Sequence, residues 1–504
     1  MVYAIEPILV SQTSFTDEQL DLILRAELQL LTVELPDFQK FRAYYDGEQG
    51  MVFGTQKFKE AFGAAFDKFR DNWCAPVVEA TADKLVVEGI TLGTTKEEAE
   101  TNKELAASIW EIFRENDIDE QQSDLHEGAL VEGRAYAIAW PDERLGVRID
   151  WQPADLIRVR YADDDPRTII WAMKRWLTPS GEIYITEYTR RFIYKYKEAA
   201  REYSDQPNLT RIDAQRPENS PNFSFVKRMV PNEQWPLPNP FGVVPVIEFP
   251  NKRGSELTDI IPLQDGINYL ILQAMTGAGF QGFPQRGMST GVAEPIGGWS
   301  NEPGKIWQLP PDIDPEGALS YGSVFEFNAA PLDGFRNLVD MLLQHIALSS
   351  KTPVRYFFQS DRGGRGDAPS GESLLVEDQP LLDKVEDRQR RYGNAWFRLA
   401  RLVNLMRNDG SSTPLPLGEM TWRDPRAKYR SALVAEGALM VEKMGMPLKF
   451  VIRQLGLTSD EIDQLDGMIE EQEQKAIERE ESKMRLEAEL TPTPVAPIAR
   501  PPTR

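Results

Sequence analysis

The chain has 504 residues, 41% of them hydrophobic; it is too long for one ordinary core and too apolar to be disordered, so two or three lobes are expected. Acidic residues outnumber basic ones, 79 against 57, and the net charge of -22 argues against tight, sequence-specific binding of nucleic acid, because such a surface repels phosphates. The single cysteine, Cys74, excludes an internal disulfide and a thiolate zinc site and fits a reducing cytosol, with core packing as its expected role.

Met1 to Val10 has no basic flank and too short an apolar run for a signal peptide, and no run of about 18 apolar residues occurs anywhere, so neither secretion nor membrane insertion is expected. Thr16-Asp17-Glu18-Gln19 is an acidic helix start, followed by the stripe Leu20, Ile23, Leu24, Leu28 and Leu31. A second helix is expected after Pro36, carrying Phe38, Phe41, Tyr44 and Tyr45 to a break at Asp46-Gly47. Asn72-Trp73 leads another helix with Val77, Val78, Ala82 and Leu85, and Val86 to Ile90 reads as a strand. Asn102 to Asn116 and Gln121 to Glu132 are two further helices. At Gly133 the period changes from helical to alternating: Ala135 to Trp140, Val147 to Trp151, Thr168 to Trp176 and Glu182 to Tyr188 predict an antiparallel sheet, and with the preceding helices an α+β lobe. Glu198 to Trp235 is polar and holds four prolines, which suggests a loose insertion or an extended hairpin.

Val243 to Phe249 predicts a strand that runs into Asn251 to Leu257. A helix then follows, with Leu257, Ile260, Leu263, Ile267, Leu270, Ile271 and Ala274 as its stripe, Pro262 near its start and a break at Gly277-Ala278-Gly279. Gly282 to Asn328 is short, strand-like and rich in turns. From Pro331 a helix carries Phe335, Leu338, Val339, Leu342, Leu343 and Ile346, and Pro353 closes it. Gln359 to Pro369 has almost nothing to bury and reads as an exposed, mobile loop. Ser370 is a good N-cap for a long helix whose seam is Leu374, Leu381, Val385, Tyr392, Trp396, Leu399, Val403 and Met406, with a kink expected near Glu377 to Pro380 and an end at Asn408-Asp409-Gly410. Met420 to Pro425 returns as strand and turn. Ser431 to Lys443, Pro447 to Leu455 and Ser459 to Leu490 read as helices, and the proline-rich Thr491 to Arg504 as a disordered tail.

Motifs with chemistry are few. No phosphate-binding Gly-x-x-x-x-Gly-Lys-Ser/Thr loop occurs. His126 and His345 are far apart, and packing or surface positions explain them better than a shared metal. Asp163-Asp164-Asp165-Pro166 is read as a solvated turn rather than a cation site. Asp312 to Gly317 starts like a calcium loop, but Pro315 interrupts it and Ser323 stands where the bidentate glutamate belongs. The glycosylation triplets at Asn208 and Asn222 and the Arg365-Gly366-Asp367 triplet are short enough for chance. No cofactor is expected.

A helix ending in Thr352-Pro353, a glycine-rich loop, and Ser370-Gly371-Glu372-Ser373-Leu374 opening a long helix with Lys384, Tyr392-Gly393 and Trp396 resembles the core of the portal proteins of tailed bacteriophages, siphophage-type head-tail connectors. Tyr44 to Glu48, the Val-Val pair before a short strand and Gly254-Ser255-Glu256 before a helix are similar to segments of the same family, so that the resemblance runs from about Thr16 to Leu490. It implies a wing over residues 1–250, a first stem helix at 251–281, a clip at 282–330, a second stem helix at 331–350, a tunnel loop at 351–369, a long wing helix at 370–409, a wing return at 410–430 and a helical crown at 431–490 ahead of the tail at 491–504. It also implies a structural virion protein, not an enzyme, assembled in the host cytoplasm as a ring of about twelve copies with a head-to-tail interface. The implied partners are double-stranded DNA, held weakly and without sequence preference, the terminase large subunit, the head-completion adaptor, and the major capsid and scaffold proteins. On that reading Arg355, Gln359, Asp361, Arg362, Arg365 and Asp367 face the DNA channel, and Arg286, Trp299, Lys305 and Trp307 are the docking residues of the clip. A metal-dependent nuclease or other phosphodiester enzyme using clustered carboxylates, and a capsid or scaffold protein, are the alternatives.

Overall fold

A computed structural model of the chain describes residues 15–50, 70–198, 225–282, 286–289, 312–313, 319–320, 323–326, 332–357, 371–408 and 414–426, with a few isolated positions besides. The chain divides into two compact units, residues 1–368 with 377–425 and residues 369–376 with 426–504, and nearly all described residues belong to the first. The helices expected between Ser431 and Leu490, apart from Val441 and Lys443, and the tail from Thr491 lie outside the described residues.

Helix α1 spans Asp17–Tyr45 and opens with a capping box, in which the Thr16 hydroxyl accepts from the Gln19 amide and the Gln19 side chain accepts from the Thr16 amide. The two helices expected on either side of Pro36 are therefore one. Proline removes the donor for the Thr32 carbonyl and crowds it, yet both flanks are buried, Leu31 and Leu35 on one side and Phe38 on the other. Burial along the whole stripe outweighs the ~3 kcal/mol that a proline inside a helix costs. Next come α2 (Cys74–Ala82), β1 (Val87–Leu92), the short α3 (Lys96–Thr101), α4 (Lys103–Glu115) and α5 (Ile118–Glu132). The antiparallel strands follow: β2 (Arg134–Asp142), β3 (Gly146–Pro153), β4 (Ile157–Tyr161), β5 (Ile169–Leu177), β6 (Ile183–Thr189), β7 (Phe192–Glu198), the short β8 (Phe225–Lys227) and β9 (Leu237–Pro238), and β10 (Val246–Pro250).

These form two sheets, a three-stranded one in the order β10-β2-β3 and a larger one in the order β4-β5-β6-β7-β8 with β9 also on β7. Alternation along β2 divides the interior. Ala135, Ala137 and Ala139 face the main core, whereas Tyr136 and Ile138 join Phe38, Ile157, Ala172 and Val246 in a core between the sheets. A further core lies under α1, where Leu20, Ile23, Leu24, Leu28 and Leu31 meet Trp171, Met173, Ile185, Tyr194 and Tyr196. The insertion expected from Glu198 to Trp235 rejoins the large sheet through β8, and the Trp235 indole donates to the Lys195 carbonyl at 2.9 Å.

Helix α6 spans Ile261–Gly282. Pro262 sits in its first turn, where no backbone donor is needed, and the helix continues past the expected break at Gly277-Ala278-Gly279. Packing against the next helix carries it through: α7 (Asp333–Ser350) lies alongside. Between them the described pieces are β11 (Arg286–Ser289) paired with β14 (Ser323–Glu326), and β12 (Asp312–Ile313) paired with β13 (Leu319–Ser320). After a 3-10 turn at Val354–Tyr356, α8 runs unbroken over Gly371–Arg407, 37 residues or ~55 Å. Pro380 lies inside it without dividing it. The carbonyl that loses its donor is that of Val376, which is 70% exposed, so water can serve it. Finally β15 (Gly418–Trp422) pairs antiparallel with β1, bringing the end of the described chain back to its first strand.

Candidate functional site

The residues on either side of the 358–370 segment, and the helices they belong to, are held by four sets of buried and half-buried polar contacts. The first fixes the turn that launches α6. Gly133 ends α5 with φ +85, and a Cβ there would lie 2.7 Å from the Gly254 carbonyl carbon, so only glycine lets the 254–256 turn dock. The Glu256 amide donates to Leu130 O at 2.9 Å and the Asn251 amide to Gly133 O at 2.9 Å.

Docked in this way, Glu256 becomes the acid of the second set. Arg388 donates to its Oε1 at 2.5 Å, Asn251 Nδ2 to the same oxygen at 3.2 Å, and Lys384 Nζ lies 3.7 Å from Oε2. Burial alone would raise the Glu256 pKa, but Lys384 and Arg388 outweigh it and hold the carboxyl below its ordinary value. Burial pushes the Lys384 ammonium down, against the pull of Glu256. Lys384 also donates to Ser350 O at 2.9 Å, so a cation meets the carbonyl end of α7, where the helix dipole favours it. One side chain of α8 thus joins the start of α6 to the end of α7.

A third set seats α6 on the N-terminal region. Tyr44 donates to Asp265 Oδ1 at 2.6 Å; Gln264 accepts from the Trp73 amide at 2.7 Å and donates to Asp71 O at 2.9 Å; Asn268 accepts from the Asp71 amide at 3.1 Å. Burial and then the Tyr44 hydroxyl set the Asp265 pKa, and the net direction is upward. Asn72 accepts from the amides of Cys74 and Ala75, capping α2. Cys74 is in the core as expected, its thiol pushed by burial to about 12. Against the far side of Trp73 lies the ring of Phe357, 6.1 Å between centroids, the last described residue before the 358–370 segment.

The fourth set spans that segment. Arg355, in the 3-10 turn, pairs with Glu377 at 3.5 Å and with the buried Asp378 on α8. Of the residues assigned to the channel, Arg355 is therefore placed in an ion pair at the base of the loop, and Gln359, Asp361, Arg362, Arg365 and Asp367 lie outside the described residues. Of the docking residues, Arg286 stands opposite Glu326 in the β11–β14 pair, and Trp299, Lys305 and Trp307 also lie outside.

Farther along α8 the histidine question is answered. His126 is fully buried; its Nε2 accepts from the Trp396 indole at 2.9 Å, and because indole only donates, the ring proton is on Nδ1, 2.9 Å from Leu85 O. Tyr392 stacks on it at 5.2 Å with planes 6° apart, and Trp422 flanks it. Gly393 leaves room for Trp422, whose Nε1 would be 3.3 Å from a Cβ at that position. His345 is exposed on α7, so the two histidines do not meet. Among the described residues no group of three or more His, Cys, Asp or Glu could hold a metal ion. Asp165 instead closes its own turn, accepting from the Arg167 amide at 3.0 Å and the Thr168 hydroxyl at 2.6 Å.

Sequence reading missed the Gln264, Asp265 and Asn268 contacts. The signal was present, since Gln264 and Asn268 are polar residues four apart, on one face of the helix.

Comparison with known proteins matches residues 28–481 to the family model "Phage portal protein, SPP1 Gp6-like". The portal protein of Mycobacterium phage L5 is 24% identical over 418 residues, covering 77% of this chain and 75% of that protein. That of Mycobacterium phage D29 is 26% identical over 372 residues, covering 69% and 67%. Among solved structures, a chain from the neck of an empty GTA particle aligns with TM-score 0.39 and 13% identity over 81% of this chain and 95% of its own length; one from the virion of a native gene transfer agent particle aligns with TM-score 0.38 and 11% identity over 83% and 99%. With nine-tenths of its length inside the family model, and with the buried contacts of α6, α7 and α8 built on the residues by which it resembles that family, this chain belongs to the SPP1 Gp6-like phage portal proteins.

Proposed function

We propose that copies of this chain close head to tail into a ring of about twelve at one capsid vertex, around a channel through which double-stranded DNA is packaged and later ejected. Membership of the family makes the chain a structural component of a phage virion, and no helix among the described residues is long and apolar enough to cross a membrane. The observation that supports the ring is the uncovered apolar surface of α6 and α7. Met275, Leu338, Met341 and, at 77% exposure, Leu348 are exposed. A helix pair with apolar residues on its outer faces needs further helices against it, and in a closed ring neighbouring copies supply them.

In this reading residues 1–250 and 370–430 form the wing, 251–281 and 331–350 the stem, 282–330 the clip, 351–369 the tunnel loop and 431–490 the crown. Gln359, Asp361, Arg362, Arg365 and Asp367 face the channel, with Arg355 tying the loop's ends together. Arg286, Trp299, Lys305 and Trp307 meet the terminase large subunit during packaging and the head-completion adaptor afterwards, while capsid and scaffold proteins surround the ring. The acidic balance suits a passage, because each neutralised phosphate adds affinity and hence drag on moving DNA.

Native mass spectrometry and negative-stain imaging test the reading. The expected result is a closed ring with a central hole, converted to folded monomers by Leu348→Asp; a chain that stays monomeric at every concentration overturns it.

A further inference from the structure

A cavity of about 380 Å³ opens among the β4–β5 turn, the β6–β7 turn, the residues leading into β10 and one face of α8. Its lining brings together Arg167, Arg190 and Arg398 with Ile169, Val244 and Val246. In the sequence these arginines are separated by 23 and 208 positions, and only folding collects them.

Elsewhere in the same region arginines are matched to acids: Arg134 and Arg158 to Glu34, Arg158 and Arg160 to Glu27. Among the described residues, the three in the cavity form no ion pair. Arg398 reaches only the main-chain oxygen of Glu248, at 3.4 Å, and its buried Nε has no hydrogen-bond partner. The carboxylate in the lining, that of Glu248, accepts from the Tyr161 hydroxyl and is shared electrostatically among Arg134, Arg158 and Arg398, so one acid faces the three arginines of the recess. The cavity is therefore a partly apolar recess with surplus positive charge, in a chain whose net charge is -22.

We infer that this recess receives carboxylate side chains from an acidic segment of a second copy of this chain. The inference rests on the proposed ring and names one of its contacts. Charge complementarity selects the occupant: a chain with 79 acidic residues presents carboxylates to its neighbour, and a guanidinium in a recess binds them in bidentate, charge-assisted fashion. Duplex DNA is the poorer fit. Its phosphates lie on a rigid convex surface, whereas a volume of this size admits two or three side chains with apolar stems.

The experiment combines a charge-reversed variant with an arginine footprint on the full chain. Arg167 and Arg190 are exposed, so Arg167→Glu with Arg190→Glu leaves the fold intact, as circular dichroism and melting verify. Arg25→Glu with Arg144→Glu makes the same change in net charge at exposed positions away from the recess. The expected result is an assembly midpoint at least tenfold higher for the first variant and unchanged for the second, with Arg398 modified by phenylglyoxal in wild-type monomers and protected in assemblies. Assembly of the first variant at the wild-type midpoint, equal modification of Arg398 in monomer and assembly, or protection by a short DNA duplex in place of assembly would each overturn the inference. A wild-type chain that never assembles removes the ring and this contact together; a ring indifferent to the variant removes the contact alone.

Discussion

His126 is held neutral by its surroundings. Burial lowers its pKa to about 3, only partly offset by the Leu85 carbonyl, and protonating Nε2 would set a donor against the Trp396 indole. Because the folded pKa lies below the unfolded value of ~6.5, the unfolded chain binds the extra proton; this contribution to stability is complete above pH ~6.5 and is lost as pH falls towards 3. Replacing His126 with Gln, which can donate to Leu85 and accept from Trp396, should flatten that acid slope at a cost of ~1–2 kcal/mol at neutral pH; urea midpoints from pH 7.5 to 4.5 measure both. Glu187 has the opposite sign. Its carboxyl is fully buried on β6 with neither oxygen hydrogen-bonded, and burial followed by the neighbouring Glu27 raises its pKa well above the ordinary value. The native state therefore keeps a proton that the unfolded chain releases, and stability declines as pH rises above ~4.5. Glu187→Gln should raise the melting temperature at pH 8 and leave it nearly unchanged at pH 4.5; a lower melting temperature at pH 8 would refute this. At this scale the sequence indicates residue type and little else. His126 reads as a packing residue, but its partner Trp396 is 270 positions away, and no local pattern encodes that distance.

Elements were far more legible. Long segments of steady period, such as α4, α5, α7 and α8, lie within a few residues of where periodicity puts them, because each keeps one helical period over three or more turns. The misses have physical causes. β4 alternates apolar residues with Arg158 and Arg160, and its charged face turns not to water but to Glu27 and Glu34 of α1. α1 and α6 run through Pro36 and Gly277 because tertiary packing overrides local propensity. The elements also depend on one another through the Glu256 set. Lys384→Met keeps the stem of the side chain but leaves Ser350 O without its donor and Glu256 with Arg388 alone, at an expected cost of ~1–3 kcal/mol. Hydrogen exchange should then quicken at the end of α7, from Leu348 to Phe357, more than at β5 and β6; uniform protection as in wild type would show that the cluster does not hold that end. Gly133→Ala should be at least as harmful, combining a left-handed backbone with a 2.7 Å clash.

For the whole molecule, charge and assembly are the quantities to measure. A chain of net charge -22 should bind duplex DNA no more tightly than ~10⁻⁴ to 10⁻⁶ M at physiological salt, and more weakly as salt rises; a nanomolar, salt-insensitive Kd by fluorescence anisotropy would contradict the channel reading. The α+β class and the portal family were both visible in the sequence, the family through short motifs that the fold collects around α8. The recess of Arg167, Arg190 and Arg398 was not, since it exists only where three distant turns and a helix converge.

Helix α1 threads all three cores, with Leu20 to Leu31 in one, Phe38 in the next and Tyr44 in the main one. It works as a common axle, on which the large sheet and the helical body turn together or not at all. Its weakest stretch is between Thr32 and Pro36, where Val33 is 68% exposed and a carbonyl lacks its helical donor. A single cut there should leave the cores joined through β2 and β5, whose alternate residues belong to different cores, so that rigidity would fail before foldedness does.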